Sequence, residues 1–197
     1  LDHAPAELVL RTATLLHDVG KPATAGLRQD GQHTFHGHPE IGAEMARDIL
    51  QRLRFSSEEI EQIALLVRLH LRPIMYDAAT WSDSAVRRLV REVGPLRREL
   101  LALARADTRA SAFEGVDGID ALEARMARLD QDGGVSRMRP ALGGERLMEL
   151  CGLGPGPWIG AVHRALEEAV LEGALPAGDA AAAEQWLAAH PEVMRER

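Results

Sequence analysis

Lysine is nearly missing from this chain. Of its 23 basic residues only Lys21 is a lysine, and the rest are arginines. Cysteine is scarcer still in effect, since Cys151 stands alone and excludes any internal disulfide framework. Aromatic residues make up 4% of the chain, so the core has to be built from Leu, Val, Ile, Ala and Met. Strand-type runs of Val, Thr and Tyr are almost absent, which argues against a sheet protein. No apolar stretch approaches the roughly 18 residues that a membrane-spanning helix requires. No charged-then-apolar leader opens the sequence either. A cytoplasmic location without a membrane partner is the expectation that follows. The chain begins Leu1-Asp2-His3, without Met, so it is expected to be part of a longer protein.

What is plentiful points the other way. Hydrophobic residues reach 46%, and Ala, Leu, Arg and Glu are all good helix formers. Net charge is -7, so the whole surface is not a nucleic-acid grip, although local basic strips remain open. Helical spacing recurs along the chain. Ala6 to Val19 reads as a buried helix closed by Gly20 and Pro22, and residues 23–37 read as a long surface loop. Pro39 opens a second helix with Ile41, Ala46, Ile49, Leu50 and Leu53 inward. Ser56 with Glu59 forms a capping box for a third, whose inner face is Ile60, Ile63, Leu66, Val67 and His70. Pro73 closes it. Further helices are expected at Asp83 to Val93, Leu96 to Ala112, Ile119 to Leu129, Glu145 to Leu150, Trp158 to Leu171 and Glu184 to Ala189. Gly115 to Gly118 interrupts the pattern, and Asp132-Gly133-Gly134 marks the clearest boundary. The expected fold is all-α, with at least seven helices and almost no sheet.

The chemistry concentrates on His17-Asp18. The pair offers an imidazole nitrogen and a carboxylate oxygen, a mixed set that suits divalent metals. His70 and Asp107 each occupy an otherwise apolar helix face, where a polar group is expensive unless it is paired or ligated. His38 stands at the edge of the long loop, just before Pro39. A cleft formed by His17, Asp18, His38, His70 and Asp107 would hold a divalent ion such as Mg, Mn or Ni. The alternatives are ordinary: Asp107 paired with Arg105 or Arg109, and His70 capping its own helix. Lys21 follows Asp18 by three residues and is a candidate phosphate holder, with Asp18 and Lys21 as the candidate catalytic pair.

The string Leu15-Leu16-His17-Asp18-Val19-Gly20-Lys21-Pro22 resembles the HD motif of bacterial tRNA nucleotidyltransferases and poly(A) polymerases. The likeness continues in Phe35-His36-Gly37-His38, Gly42-Ala43, Leu53-Arg54-Phe55-Ser56, Leu66-Val67-Arg68-Leu69-His70, Trp81 to Arg88, Arg105-Ala106-Asp107 and Gly152 to Pro157. It implies an HD domain over 1–113, a connecting helix and linker over 114–139, and a C-terminal helical, tRNA-handling module over 140–197. It also implies an RNA 3′ end, that of tRNA above all, as partner. The family's nucleotidyltransferase domain carries its polymerising carboxylates, and no such motif occurs here. Some members hydrolyse phosphate monoesters and 2′,3′-cyclic phosphates at the HD site. Two departures stand out. The family's upstream histidine has no counterpart, since His3 lies too near His17, and Pro39 stands where glutamate often follows the matched histidine.

Arg87, Arg88, Arg91, Arg97 and Arg98 crowd two consecutive helices, and the first four are the candidate RNA-phosphate contacts; a solvated face paired with Glu92 and Glu99 is the alternative. Gly152 to Gly160 is read either as a turn between packed helices or as a backbone cradle at the Trp158 helix start, and it is not a Walker A loop. Three functions therefore stand: the HD and RNA-handling part of a nucleotidyltransferase, an independent metal-dependent phosphohydrolase, and a metal-free helical scaffold.

Overall fold

The structure is a computed structural model, described at residues 6–111, 116–133 and 141–194. It is helical almost throughout. The helices are α1 (Ala6–Leu16), α2 (His38–Arg52), α3 (Ser57–Leu69), α4 (Leu71–Ile74), α5 (Asp83–Val93), α6 (Arg97–Ala110), α7 (Val116–Gly133), α8 (Gly144–Cys151), α9 (Trp158–Glu172) and α10 (Ala180–Ala189). Among the described residues the only strands are β1 (Gly26–Leu27) and β2 (His33–Thr34), an antiparallel pair with Gly26 opposite Thr34.

Two compact units form. One comprises Leu1–Thr80 and Val93–Ala124, the other Trp81–Glu92 and Arg125–Arg197. In the first, α3 is the central element and packs against α1, α2 and α6. Its Ile63, Leu66 and Val67 are fully buried, together with Ala13 of α1, Leu50 of α2 and Leu100 and Leu103 of α6. The Ser56–Glu59 capping box is present in full and starts α3 where the sequence places it. In the second unit, Leu142, Leu147, Val162, Leu166, Ala169, Leu175, Ala183 and Leu187 form a continuous apolar core. No helix among the described residues is long and apolar enough to cross a membrane.

Several boundaries differ from the sequence reading. α1 ends at Leu16 rather than Val19, where the chain turns and the imidazole of His17 donates from Nδ1 to the Thr14 carbonyl. The long loop contains a 3-10 turn at Pro22–Thr24 and the β1–β2 hairpin. The hairpin is closed by Asp30, whose carboxylate accepts from the Gln32 amide. Ile41 and Leu53 face solvent, Leu53 with 63% of its surface exposed. The buried side of α2 is narrower, running through Gly42, Ala43, Ala46 and Leu50. Gly118 does not interrupt the pattern but lies in the first turn of α7, whose Ile119, Leu122, Met126 and Leu129 are buried. Gly115 and the stretch 134–140, read as part of the break and the linker, lie outside the described residues.

Candidate metal centre

Four elements meet around Asp18. It stands in the turn after α1, His38 at the first residue of α2, His70 between α3 and α4, and Asp107 in the last turn of α6. All five residues singled out in the sequence converge. The two oxygens of Asp18 divide the work. Oδ1 faces His38 Nε2 at 3.4 Å and His70 Nε2 at 3.9 Å. Oδ2 accepts from Lys21 Nζ at 2.6 Å and lies 3.3 Å from His17 Nε2. His17 Nε2 is in turn 3.6 Å from Asp107 Oδ1. His70 is completely buried, while Asp107 keeps 22% of its side chain exposed and is less core-facing than its helix face implies.

The three imidazoles are oriented alike. Each Nδ1 meets a backbone carbonyl three residues upstream: His17 to Thr14 at 2.8 Å, His38 to Phe35 at 2.8 Å, His70 to Val67 at 2.7 Å. A carbonyl only accepts, so each Nδ1 carries a proton, and in its neutral form each ring turns a bare Nε2 lone pair to the centre. A backbone acceptor on the far nitrogen of this kind fixes the tautomer of metal-ligating histidines. The alternative role of His70, capping its own helix, is compatible with this geometry, since the same Nδ1 contact reaches the Val67 carbonyl and leaves an inward-facing donor in the same ring.

The Nε2 atoms of His38 and His70 lie 3.4 Å apart. With both Nδ1 atoms protonated they are two lone pairs facing each other, a repulsive contact without a cation or proton between them. Two donors about 2.1 Å from one ion at a near-tetrahedral angle lie about 3.4 Å apart. Asp18, His38 and His70 have donor atoms all within 4.8 Å of one another. The donor set therefore fits a divalent ion, with His17 and Asp107 at its margin.

Electrostatics agree with the geometry. Burial works to raise the Asp18 carboxyl, but the Lys21 hydrogen bond, with His17, Lys21 and His70 alongside, prevails and holds it below the ordinary aspartate value. Burial pushes the His70 imidazole below its ordinary value, helped by His17 and His38 and opposed by the Val67 carbonyl and Asp18. The buried ring is thereby kept as a neutral donor.

Two glycines position these groups. A Cβ on Gly20 would stand 2.3 Å from the His38 carbonyl oxygen and 2.7 Å from the Gly42 nitrogen. Only a residue without a side chain lets the turn after Asp18 lie against the start of α2. Gly37 has φ 75°, the left-handed conformation, and makes the turn from which His38 enters the helix. The sequence reading took Gly20 as a helix stop and missed its contact with α2. Nothing in the residue type distinguishes the two.

The arginines read as RNA contacts are engaged within the protein. Arg88 pairs with Glu168 and Glu172, and Arg91 with Glu167. Arg87 donates to the Leu171 carbonyl at 3.4 Å. These partners of Arg87, Arg88 and Arg91 lie on α9. Arg97 opens α6 and is half-buried. Arg105 pairs with Asp120 and Glu123, which leaves Asp107 to the cluster. In the glycine-rich turn before α9, Trp158 Nε1 donates to the Gly154 carbonyl at 2.9 Å, so the turn folds over its own tryptophan.

The HD domain family matches residues 2–112. An A-adding tRNA nucleotidyltransferase of Deinococcus radiodurans is 38% identical over 171 residues, covering 83% of this chain and 38% of that protein. A CC-adding tRNA nucleotidyltransferase of Thermus thermophilus is 38% identical over 169 residues, covering 85% of this chain and 37% of that protein. The chain belongs to the HD-domain family, in the branch it shares with bacterial tRNA nucleotidyltransferases. It spans well under half the length of these curated relatives, and alignments of this length reach well beyond residue 112 into the second unit.

Proposed function

We propose that this chain is the HD and RNA-handling part of a tRNA nucleotidyltransferase, positioning an RNA 3′ end beside a divalent-metal centre. The observation that carries the reading is the likeness to an A-adding and a CC-adding enzyme over more than four-fifths of the chain. Asp18, His38 and His70 are the ligands, with His17 and Asp107 completing the set. Lys21, held on Asp18, is the charge that meets a phosphate oxygen. RNA phosphates are taken up by Arg87, Arg88, Arg91 and Arg97, Arg88 and Arg91 exchanging them with the carboxylates of α9. Such exchange makes the affinity weak and sensitive to salt.

The test is binding of the purified chain to tRNA without its terminal nucleotides, measured across a salt series. Replacing Arg87 and Arg88 by alanine should weaken several tRNAs alike and reduce the salt slope by roughly 0.7 to 0.9 per lost phosphate contact. An unchanged slope and affinity would leave these arginines as partners of α9 only. The chain alone should incorporate no CTP or ATP, since it contains no nucleotidyltransferase carboxylate motif. Incorporation after contaminants are excluded would defeat that part.

The geometry of the centre favours a second reading, hydrolysis of phosphate monoesters or 2′,3′-cyclic phosphates. A divalent ion supplies, when bound, Lewis-acid stabilisation of phosphoryl charge. The protein orients the ester through Lys21 and provides in His17, between Asp18 and Asp107, a group able to hold a proton. Release of phosphate that needs manganese or nickel and disappears in Asp18→Asn would support it. Full activity in Asp18→Asn would refute it.

A further inference from the structure

Beside the metal centre lies a feature that holding an ion does not require. His33 and Phe35 are two residues apart at the end of β2, and alternate residues of a strand stand on the same side. Their rings are nearly parallel, 12° apart in plane, with centroids separated by 6.4 Å. His33 is exposed and Phe35 half-buried. Lys21 Nζ joins this pair to the centre. It stands 5.8 Å from the middle of the Phe35 ring and 2.6 Å from Asp18 Oδ2. The backbone of Phe35 is tied to the same place, since its carbonyl accepts from both the amide and Nδ1 of His38. Only three phenylalanines occur in the chain, and one of them flanks this cluster.

We infer that His33 and Phe35 form a stacking shelf for a nucleobase whose phosphate is held at Lys21, beside Asp18. The inference rests on the phosphate-handling reading and narrows its ligands to nucleotides. A phosphate alone has no use for two aligned rings. A base has, because every base offers a π-face to an aromatic side chain, with little dependence on sequence. A purely internal role also exists: the Phe35 ring attracts the Lys21 ammonium and so orients it. The two roles part in their consequences. Loss of orientation weakens every phosphate ligand equally, whereas loss of a shelf weakens only ligands that carry a base.

Calorimetric titration of the full chain with AMP and with ribose 5-phosphate, both in manganese, separates them. The wild type should bind AMP more tightly, on the order of fivefold or more. Phe35→Leu should bring that ratio close to one while leaving ribose 5-phosphate within about twofold of its original affinity. His33→Ala, at an exposed position away from Lys21, should reduce the ratio too. It decides the matter alone should Phe35→Leu fail to fold. Equal affinity for the two ligands in the wild type would overturn the shelf and leave the phosphate site standing. So would a ratio that persists in the variants, or an equal weakening of both ligands by Phe35→Leu. Binding of neither ligand by the wild type would overturn the phosphate reading and the shelf with it.

Discussion

Gly20→Ala adds one methyl group at the closest approach between the HD turn and α2. The new Cβ would stand 2.3 Å from the His38 oxygen, 2.7 Å from the Gly42 nitrogen and 3.1 Å from the Gly42 Cα. All three are backbone atoms, and none can rotate away. Ordinary carbon contacts begin near 3.5 Å, so α2 has to retreat by about 1 Å. Overpacking of this kind costs about 1–3 kcal/mol, and the rigid surroundings put this case at the upper end. For a chain of this size, a loss of about 3 kcal/mol lowers the melting temperature by about 6–12 °C. Because His38 rides on the displaced helix end, affinity for manganese should fall as well. Gly42→Ala is the control: its tightest neighbours are Val67 Cγ1 at 3.3 Å and the Gly20 nitrogen at 3.4 Å. It also gains up to about 1 kcal/mol of helix propensity inside α2, so its net effect should be small. Thermal unfolding in a chelator, followed by calorimetric titration with manganese, reads both quantities. A Gly20→Ala protein that melts with the wild type, or with Gly42→Ala, would refute the close-contact argument.

Asp18→Ala removes the carboxylate shared by the cluster and should lower manganese affinity by more than about tenfold in the same titration; an unchanged affinity would place the ion elsewhere. The depressed imidazole of His70 links stability to pH. Its unfolded form takes up a proton near the ordinary histidine value of 6.5, while the buried ring resists it. In chelator, stability should therefore be complete above that pH. It should fall as pH drops below it, and level off once pH passes the lowered folded value. A melting temperature flat from pH 7.5 to 5.5 (about one unit either side of that value) would contradict the assignment. Arg54, at φ 65°, is the only described non-glycine residue with a left-handed backbone and closes α2 in a position that favours glycine. Arg54→Gly should stabilise the protein by about 1 kcal/mol, visible as a rise of about 2–4 °C; a fall would show that the arginine side chain contributes more than the backbone strain.

The sequence by itself determined the helices and the identity of the clustered residues. Periodicity and capping are local properties, so α3 with its Ser56–Glu59 box and inner face, and α5 with Val86, Leu89, Val90 and Val93, are read directly from spacing. His70 was legible because a histidine among Ile63, Leu66 and Val67 is costly without a purpose. Helix ends were less legible, as at His17, where the chain turns and a side chain takes a backbone carbonyl. Only the tertiary structure decided the rest. Which carboxylate each arginine meets depends on α9, some 80 residues away from Arg88 in the chain. That three imidazoles present Nε2 inward depends on carbonyls whose direction no residue type encodes. Gly20 looks like a helix stop in sequence and becomes a contact point only when α2 lies across it, because steric exclusion acts between segments that the sequence lists separately and folding brings too close for a side chain between them.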